Sequence, residues 1–300
     1  MTAAPDAPPR PSCLDALAVY VKPRVLIVLF LGFSSGLPLA LSGTTLSVWL
    51  TERSIDLGTI GLFALVGLPY TFKFLWAPVV DALDVPGLSR MLGRRRGWLI
   101  FTQLILVVAI VFLGLCDPEK SLPLIIAGAV LVATASATQD IVVDAFRVES
   151  LDPSEQGAGM AGYVAAYRIG MLASGAGVLV LVAWLESRGI LRASVWMWGY
   201  IAAAACMAIG MAATLLATEP DTPQALDHTH KPLRRLAETA VGAFGEFLSR
   251  DAAILILLFV VLYKFCDAFA GALTAPFVID RKSTRLNSSH IQKSRMPSSA

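Results

Sequence analysis

Charge is scarce in this chain of 300 residues: Asp, Glu, Lys and Arg make up 15% of it, where soluble domains carry about 25%. So little charge cannot coat a water-borne particle of this size. The 56% of apolar residues, with a mean hydropathy of +0.69, exclude an ordinary cytosolic enzyme and a disordered chain alike. Cysteine is also rare. Cys13, Cys116, Cys206 and Cys266 show no C-x-x-C spacing, so they indicate neither a disulfide framework nor a zinc site and read as small apolar fillers. Of three histidines, His228 and His230 flank one threonine in a polar loop without a third ligand, which argues for no metal. A net charge of +2 says little about partners, and no strongly basic face argues for nucleic acid, so none is expected. What remains is a multi-span, all-α membrane protein in a lipid bilayer.

Seven apolar stretches reach the roughly 20 helical residues that a bilayer crossing needs. They lie at about 25–50, 57–80, 97–115, 122–145, 158–185, 195–217 and 252–279. The first is too long, and its Pro/Ala-rich lead too unlike a cleavage region, for a secretory signal. With the N-terminus inside, twelve Lys and Arg fall on the cytoplasmic side, whereas only Arg53, Lys120, Arg188 and Arg192 fall outside. Basic residues favour the cytoplasmic side, so the N-terminus is expected there.

After the sixth span, Leu233, Leu236, Ala237, Ala240, Val241, Phe244, Phe247 and Leu248 recur at steps of three and four, with Arg234, Arg235, Glu238 and Glu246 opposite. That pattern predicts an amphipathic helix lying on the inner membrane surface or on the protein's own inner face. The expected organisation is a cytoplasmic segment 1–24, a six-helix bundle 25–217, a linker 218–251 and a seventh helix 252–280. It looks like the first bundle of a major-facilitator transporter with the start of the second. The final 20 residues, 281–300, hold six serines and five Lys/Arg without an apolar period. They resemble translated vector sequence, so the chain is expected to be a fragment cut after its seventh span.

Ionisable side chains inside spans carry the functional reading, because each costs about 2.5–3.5 kcal/mol at mid-membrane on insertion scales. Lys73, Asp140, Asp144, Arg168, Lys264 and Asp267 are such residues. Alternating access driven by protons needs a carboxylate that loads on one side and empties on the other. In the fourth span Asp140, Asp144 and Arg147 share one helical stripe, and Gln139 points about 100° away, where it can bond a sugar or an amide. Asp144, Arg147 and Glu149 also read as a structural salt-bridge cluster. Lys264 and Asp267 are either a mutually neutralising pair or ligands, and Arg168 is either an anion grip or a counter-ion for Asp140. Lys73 has Tyr70 and Phe74 on one expected face, able to stack on a sugar or to sit in a lipid-facing girdle. In the first span Gly36 and Pro38 weaken the helix while Ser34 and Ser35 can cover freed carbonyls, giving a broken cavity helix or a close-packed one. Asp81 with Arg94, Arg95 and Arg96 forms a loose version of the major-facilitator loop motif G-x-x-x-D-R-x-G-R-R, with Ala82 where the motif has Arg. With Arg147 these residues are the candidate cytoplasmic gate. The Arg run also reads as an anchor on anionic lipid.

The blocks GFSSGLPLALSGTTLSVWLTE, GLPYTFKFLWAP, LGRRRGW, SATQDIVVDAFRVE and YKFCDAFAGALTAPF, in this order over about residues 20–280, resemble the AmpG-type muropeptide permeases. The resemblance implies a bacterial inner-membrane importer of anhydromuropeptides that is driven by the proton gradient, without a cofactor, and is monomeric when full-length. It would serve peptidoglycan recycling and, in some bacteria, β-lactamase induction. It also implies Gln139, Asp140 and Asp144 as transport residues and Gly36 as a tight-packing or cavity position. An acetyl-coenzyme A transporter, or another major-facilitator sugar or organic-anion carrier, is the alternative within transport. A membrane-embedded transferase is disfavoured because all three histidines lie outside the spans.

Overall fold

Long apolar runs without strand periodicity fold here as helices laid side by side. The structure, a computed structural model, describes residues 17–220 and 252–263, with a few isolated positions between 242 and 266. Among these residues the first unit, within Met1–Leu236, holds six helices long and apolar enough to span a membrane. They are α1 (Pro23–Glu52), α2 (Gly58–Leu75), α5 (Arg94–Leu115), α6 (Leu122–Ser150), α7 (Gln156–Ser187) and α8 (Arg192–Leu216), with the short α3 (Ala77–Ala82) and α4 (Leu88–Leu92) between α2 and α5. The chain is thus a multi-pass membrane protein of major-facilitator character. The second unit, within Ala237–Ala300, contributes the apolar helix α9 (Ala253–Tyr263). The expected amphipathic helix over 233–248 and the tail 281–300 lie outside the described residues, as do Lys264 and Asp267.

Helix α1 is the axis of the first unit. It packs most extensively on α7 and also meets α6 and α8, while α5 sits between α6 and α8. Small residues set the α1–α7 spacing. A methyl placed on Gly36 would come within 2.1 Å of the Tyr167 carbonyl oxygen, and one on Gly170 within 2.2 Å of the Phe33 oxygen. In lipid, where the tails are as apolar as the helices, such close backbone approach is a main source of helix association. Gly36 is therefore a tight-packing position.

Of the two readings of this stretch, a broken helix or a close-packed one, the helix around Gly36 and Pro38 follows the close-packed one. α1 stays helical through Pro38 and widens into a π turn at Leu41–Thr45 before continuing to Glu52. Proline lacks the amide hydrogen and loosens the turn, and just beyond it hydroxyls bond the carbonyls at the start of the widened stretch. The Ser42 hydroxyl donates to the Pro38 oxygen at 2.9 Å and Tyr200 OH to the Leu41 oxygen at 3.1 Å. α7 carries a matching π turn at Ala173–Gly177, and the Thr45 hydroxyl donates across to the Ser174 oxygen at 2.9 Å. The second span departs further from its expected form. One 3-10 segment, Phe63–Gly67, interrupts α2 and another, Lys73–Leu75, ends it, and most of the helix is exposed.

Two apolar cores occupy the ends of the bundle. One gathers Leu41, Trp49, Ile110, Val132, Trp196 and Tyr200, and the other Val25, Leu31, Leu99, Val143 and Phe146. Between the two cores α1, α5 and α6 bury polar residues, Ser34 and Ser35, Gln103, Ser136, Gln139 and Asp140, and Thr214 on α8 joins them through Gln103. Burying polar groups costs free energy unless they are paired, so this layer is where the sequence departs from simple packing.

Candidate functional site

The polar layer has a closed part and an open part. In the closed part Gln139, fully buried, donates from Nε2 to Ser35 Oγ at 3.1 Å and to Ser34 Oγ at 3.4 Å. Gln103 accepts from the Thr214 hydroxyl at 3.2 Å. Gly210 makes room for this convergence, since a methyl there would lie 2.3 Å from Ser34 Oγ. Gln139, read from the sequence as a group able to bond a sugar or an amide, turns its Nε2 to α1, while its buried Oε1 has no hydrogen-bond partner. The reason is rotational: one residue before Asp140 on a helix of 3.6 residues per turn, it faces the bundle axis.

The open part centres on Asp140, which is 7% exposed and has an Oδ1 without a hydrogen-bond partner. Its electrostatic neighbours are Lys73, Asp144 and Ser35. Lys73 Nζ lies 4.0 Å from Asp144, and Arg147 Nη2 lies 3.7 Å from the other oxygen of the same carboxylate. Asp144 is thus shared loosely by two cations at a half-exposed position. Arg147 thus meets Asp144, as its place on the same helical stripe suggests.

Three tyrosines lie within electrostatic reach of Asp140. Tyr70, from α2, has a buried hydroxyl without a partner and neighbours Ser136, Ser42 and Asp140. Tyr163, from α7, neighbours Ser35, Asp140 and Asp144, and Tyr167, one turn on, neighbours Asp140 and Arg168. The expected pairing of Tyr70 with Phe74 does not form. The 3-10 turn at Lys73–Leu75 breaks the four-residue repeat, so Phe74 is exposed and meets Phe72 at 6.5 Å. Arg168 is exposed, with the Met171 sulfur at 3.9 Å from its guanidinium, and it makes no ion pair with Asp140. The α7 tyrosines were missed in the sequence reading. Their signal was present, two tyrosines four apart in a glycine-rich helix, but nothing local says which face meets Asp140.

A second cluster lies at the end of the bundle where α1 begins and α6 finishes. Arg95, 5% exposed, donates from Nη1 to Asp81 at 2.7 Å and grips Glu149 with both Nε and Nη2. Arg94 donates to the Asp81 carbonyl at 2.5 Å. The spacing of nine residues after Ala82 is bridged by α4 and by Gly93, whose φ of +94° suits glycine. Glu219, not foreseen, caps α5 by accepting from the Arg95 and Arg96 amides at 2.7 and 3.1 Å. Arg96 returns the favour to α8, donating to the Thr214 and Leu215 carbonyls at 3.0 and 2.7 Å. Asp81, Arg94 and Arg95 therefore come together, whereas Arg96 ties the start of the linker segment to α5. No cluster of metal ligands occurs among the described residues.

Comparison with known proteins agrees with this architecture. A family model described as acetyl-coenzyme A transporter 1 matches residues 24–122. The anhydromuropeptide permease of Escherichia coli strain K12 is 44% identical over 263 residues, covering 88% of this chain and 50% of that protein. A putative transporter AmpG 4 of Rickettsia felis is 33% identical over 262 residues, covering 87% and 61%. An uncharacterized protein of Haemophilus influenzae is 37% identical over 258 residues, covering 86% and 57%. The chain spans about half the length of the curated relatives it matches. Over most of its length, then, this polytopic helical bundle is similar to part of proteins named anhydromuropeptide permease and putative transporter AmpG 4.

Proposed function

We propose that the full-length protein imports anhydromuropeptides across the bacterial inner membrane in symport with protons, with its N-terminus in the cytoplasm. The observation that carries this reading is the 44% identity, over 88% of the chain, to a protein named anhydromuropeptide permease. The site's chemistry supports it. Asp140 offers an unpartnered carboxylate oxygen inside the bundle, beside a half-exposed Asp144 shared by Lys73 and Arg147. A proton taken up at Asp140 and passed toward Asp144 follows one stripe of α6. A carboxylate of the cargo competes with Asp144 for Lys73, which couples binding to that transfer. The Asp81–Arg95–Glu149 cluster acts as the cytoplasmic gate.

The test is uptake of labelled anhydromuropeptide by the complete reading frame in cells lacking their own permease. Asp140→Asn should abolish proton-dependent accumulation with insertion intact. Accumulation at the wild-type level in that variant removes Asp140 as the carrier. The match of residues 24–122 to the acetyl-coenzyme A transporter model favours one second reading, transport of acetyl-coenzyme A. Uptake of labelled acetyl-coenzyme A in place of muropeptide would establish it.

A further inference from the structure

Beyond proton coupling, the four groups that converge from α2, α6 and α7 have the character of a sugar site. We propose that Tyr163, Tyr167, Tyr70 and Asp140 form a saccharide subsite that holds one pyranose ring of the cargo, an inference that rests on the muropeptide reading. The Tyr163 and Tyr167 rings lie 6.0 Å apart, inclined by 36°, on successive turns of one helix face. Both are half-buried, so part of each ring remains open on the surface of the unit. Gly32 backs the first of them: a methyl there would lie 3.0 Å from Tyr163 Cδ2, so the ring rests on the α1 backbone and is held in place. A fixed aromatic floor loses little rotamer freedom on binding and suits the flat C–H face of a sugar.

Polar groups complete the recognition. Asp140 is more than nine-tenths buried and its Oδ1 lacks a partner, as do the hydroxyls of Tyr70 and Ser136 beside it. A carboxylate accepts from two neighbouring sugar hydroxyls or from an acetamido N–H, and a phenol can donate or accept. An apolar wall with a few converging polar groups is the usual make-up of a small-molecule pocket. The same floor would also receive an adenine ring, but adenine does not present the run of hydroxyl donors that Asp140 and the two orphaned hydroxyls call for.

The experiment is calorimetric titration of the purified full-length protein with peptide-free N-acetylglucosaminyl-anhydro-N-acetylmuramic acid, and separately with acetyl-coenzyme A. The disaccharide should bind. Tyr167→Ala should weaken it about tenfold or more, and Tyr167→Phe, which keeps the ring, should stay within about twofold. Thermal melting of both variants checks that they fold. Equal affinity in wild type and in Tyr167→Ala overturns the subsite, as does a lack of disaccharide binding or a Tyr167-dependent preference for acetyl-coenzyme A. Uptake separates the two proposals. Disaccharide binding that depends on Tyr167 without muropeptide accumulation refutes the transport reading alone. Accumulation with binding indifferent to Tyr167 refutes the subsite alone.

Discussion

Replacing Gly36 with alanine adds a single methyl, and the structure gives that methyl no room. The added carbon would sit 2.1 Å from the Tyr167 oxygen, 2.9 Å from the Tyr167 carbonyl carbon and 3.1 Å from the Met171 amide nitrogen. All three obstacles are backbone, so no rotamer change relieves the contact and α7 must retreat from α1 by about 1 Å. Overpacking a tight interior costs about 1–3 kcal/mol, and a backbone obstacle places this site toward the upper end. At about 2–3 kcal/mol the melting temperature of a unit of this size should fall by roughly 5–10 °C. Gly43, seven residues along the same helix, has nothing within 4 Å of the corresponding position. Gly43→Ala should therefore stay within about 1 kcal/mol of wild type. Gly170→Ala forces the same separation from the other side, because its methyl meets the Phe33 oxygen at 2.2 Å and Gly36 Cα at 3.3 Å. The double variant should then lose less than the sum of the two singles. Thermal unfolding monitored by size exclusion of a fluorescent fusion reads all four proteins. Gly36→Ala melting with wild type, or additive losses in the double variant, would refute the close α1–α7 approach.

Three other perturbations test the ends of the bundle. Arg95→Lys keeps the charge and loses the fork that holds Asp81 and Glu149 together; with both carboxylates partly exposed, the loss should be about 1–2 kcal/mol in chemical or thermal unfolding. Glu219→Ala uncaps α5 and should cost about 1 kcal/mol, and Glu219→Gln should cost less, since its amide oxygen still accepts from the Arg95 and Arg96 amides. Lys22 Nζ donates to Glu155 at 2.7 Å and holds that carboxyl below its ordinary range. A depressed folded value contributes stability above the ordinary value of 4.5 and loses it as pH falls through the folded value. The melting temperature should thus decline below about pH 4.5 less steeply in Glu155→Gln than in wild type, and equal slopes would remove this pair from the acid response.

The spans were legible because a membrane leaves few options. Backbone groups in hydrocarbon must bond within the segment, so a long apolar run is a helix almost regardless of its neighbours. The runs that carry Trp49, Ile110, Val132 and Trp196 needed only length and composition to be recognised. Asp140 was legible for the complementary reason, since a carboxylate inside such a run is costly and marks a site. Gln139 shows the limit. Its type suits a polar contact, but only the tertiary structure shows that 100° around α6 turns its Nε2 to Ser34 and Ser35.

Helix α2 shows a second limit. Its apolar content is sufficient for a span, while the 3-10 turns that send Tyr70 inward and Phe74 outward depend on contacts with α6 and on the π turn of α1. The Arg94–Arg96 run was visible as a charge cluster, but its division of labour was not. Only the meeting of the α8 end with the α5 start gives Arg96 its carbonyls and Glu219 its amides. By itself, then, the sequence determined the class of protein, the number and place of the spans in its first unit, and the buried acid. Those depend on the free energy of moving each residue from water to lipid, a local quantity that can be read one segment at a time. Which side chains meet was decided by the tertiary structure alone, because it turns on the rotation and spacing of whole helices. Those are set jointly, by glycines on α1 and α7 that let Tyr163 and Tyr167 come alongside α1 and reach Asp140.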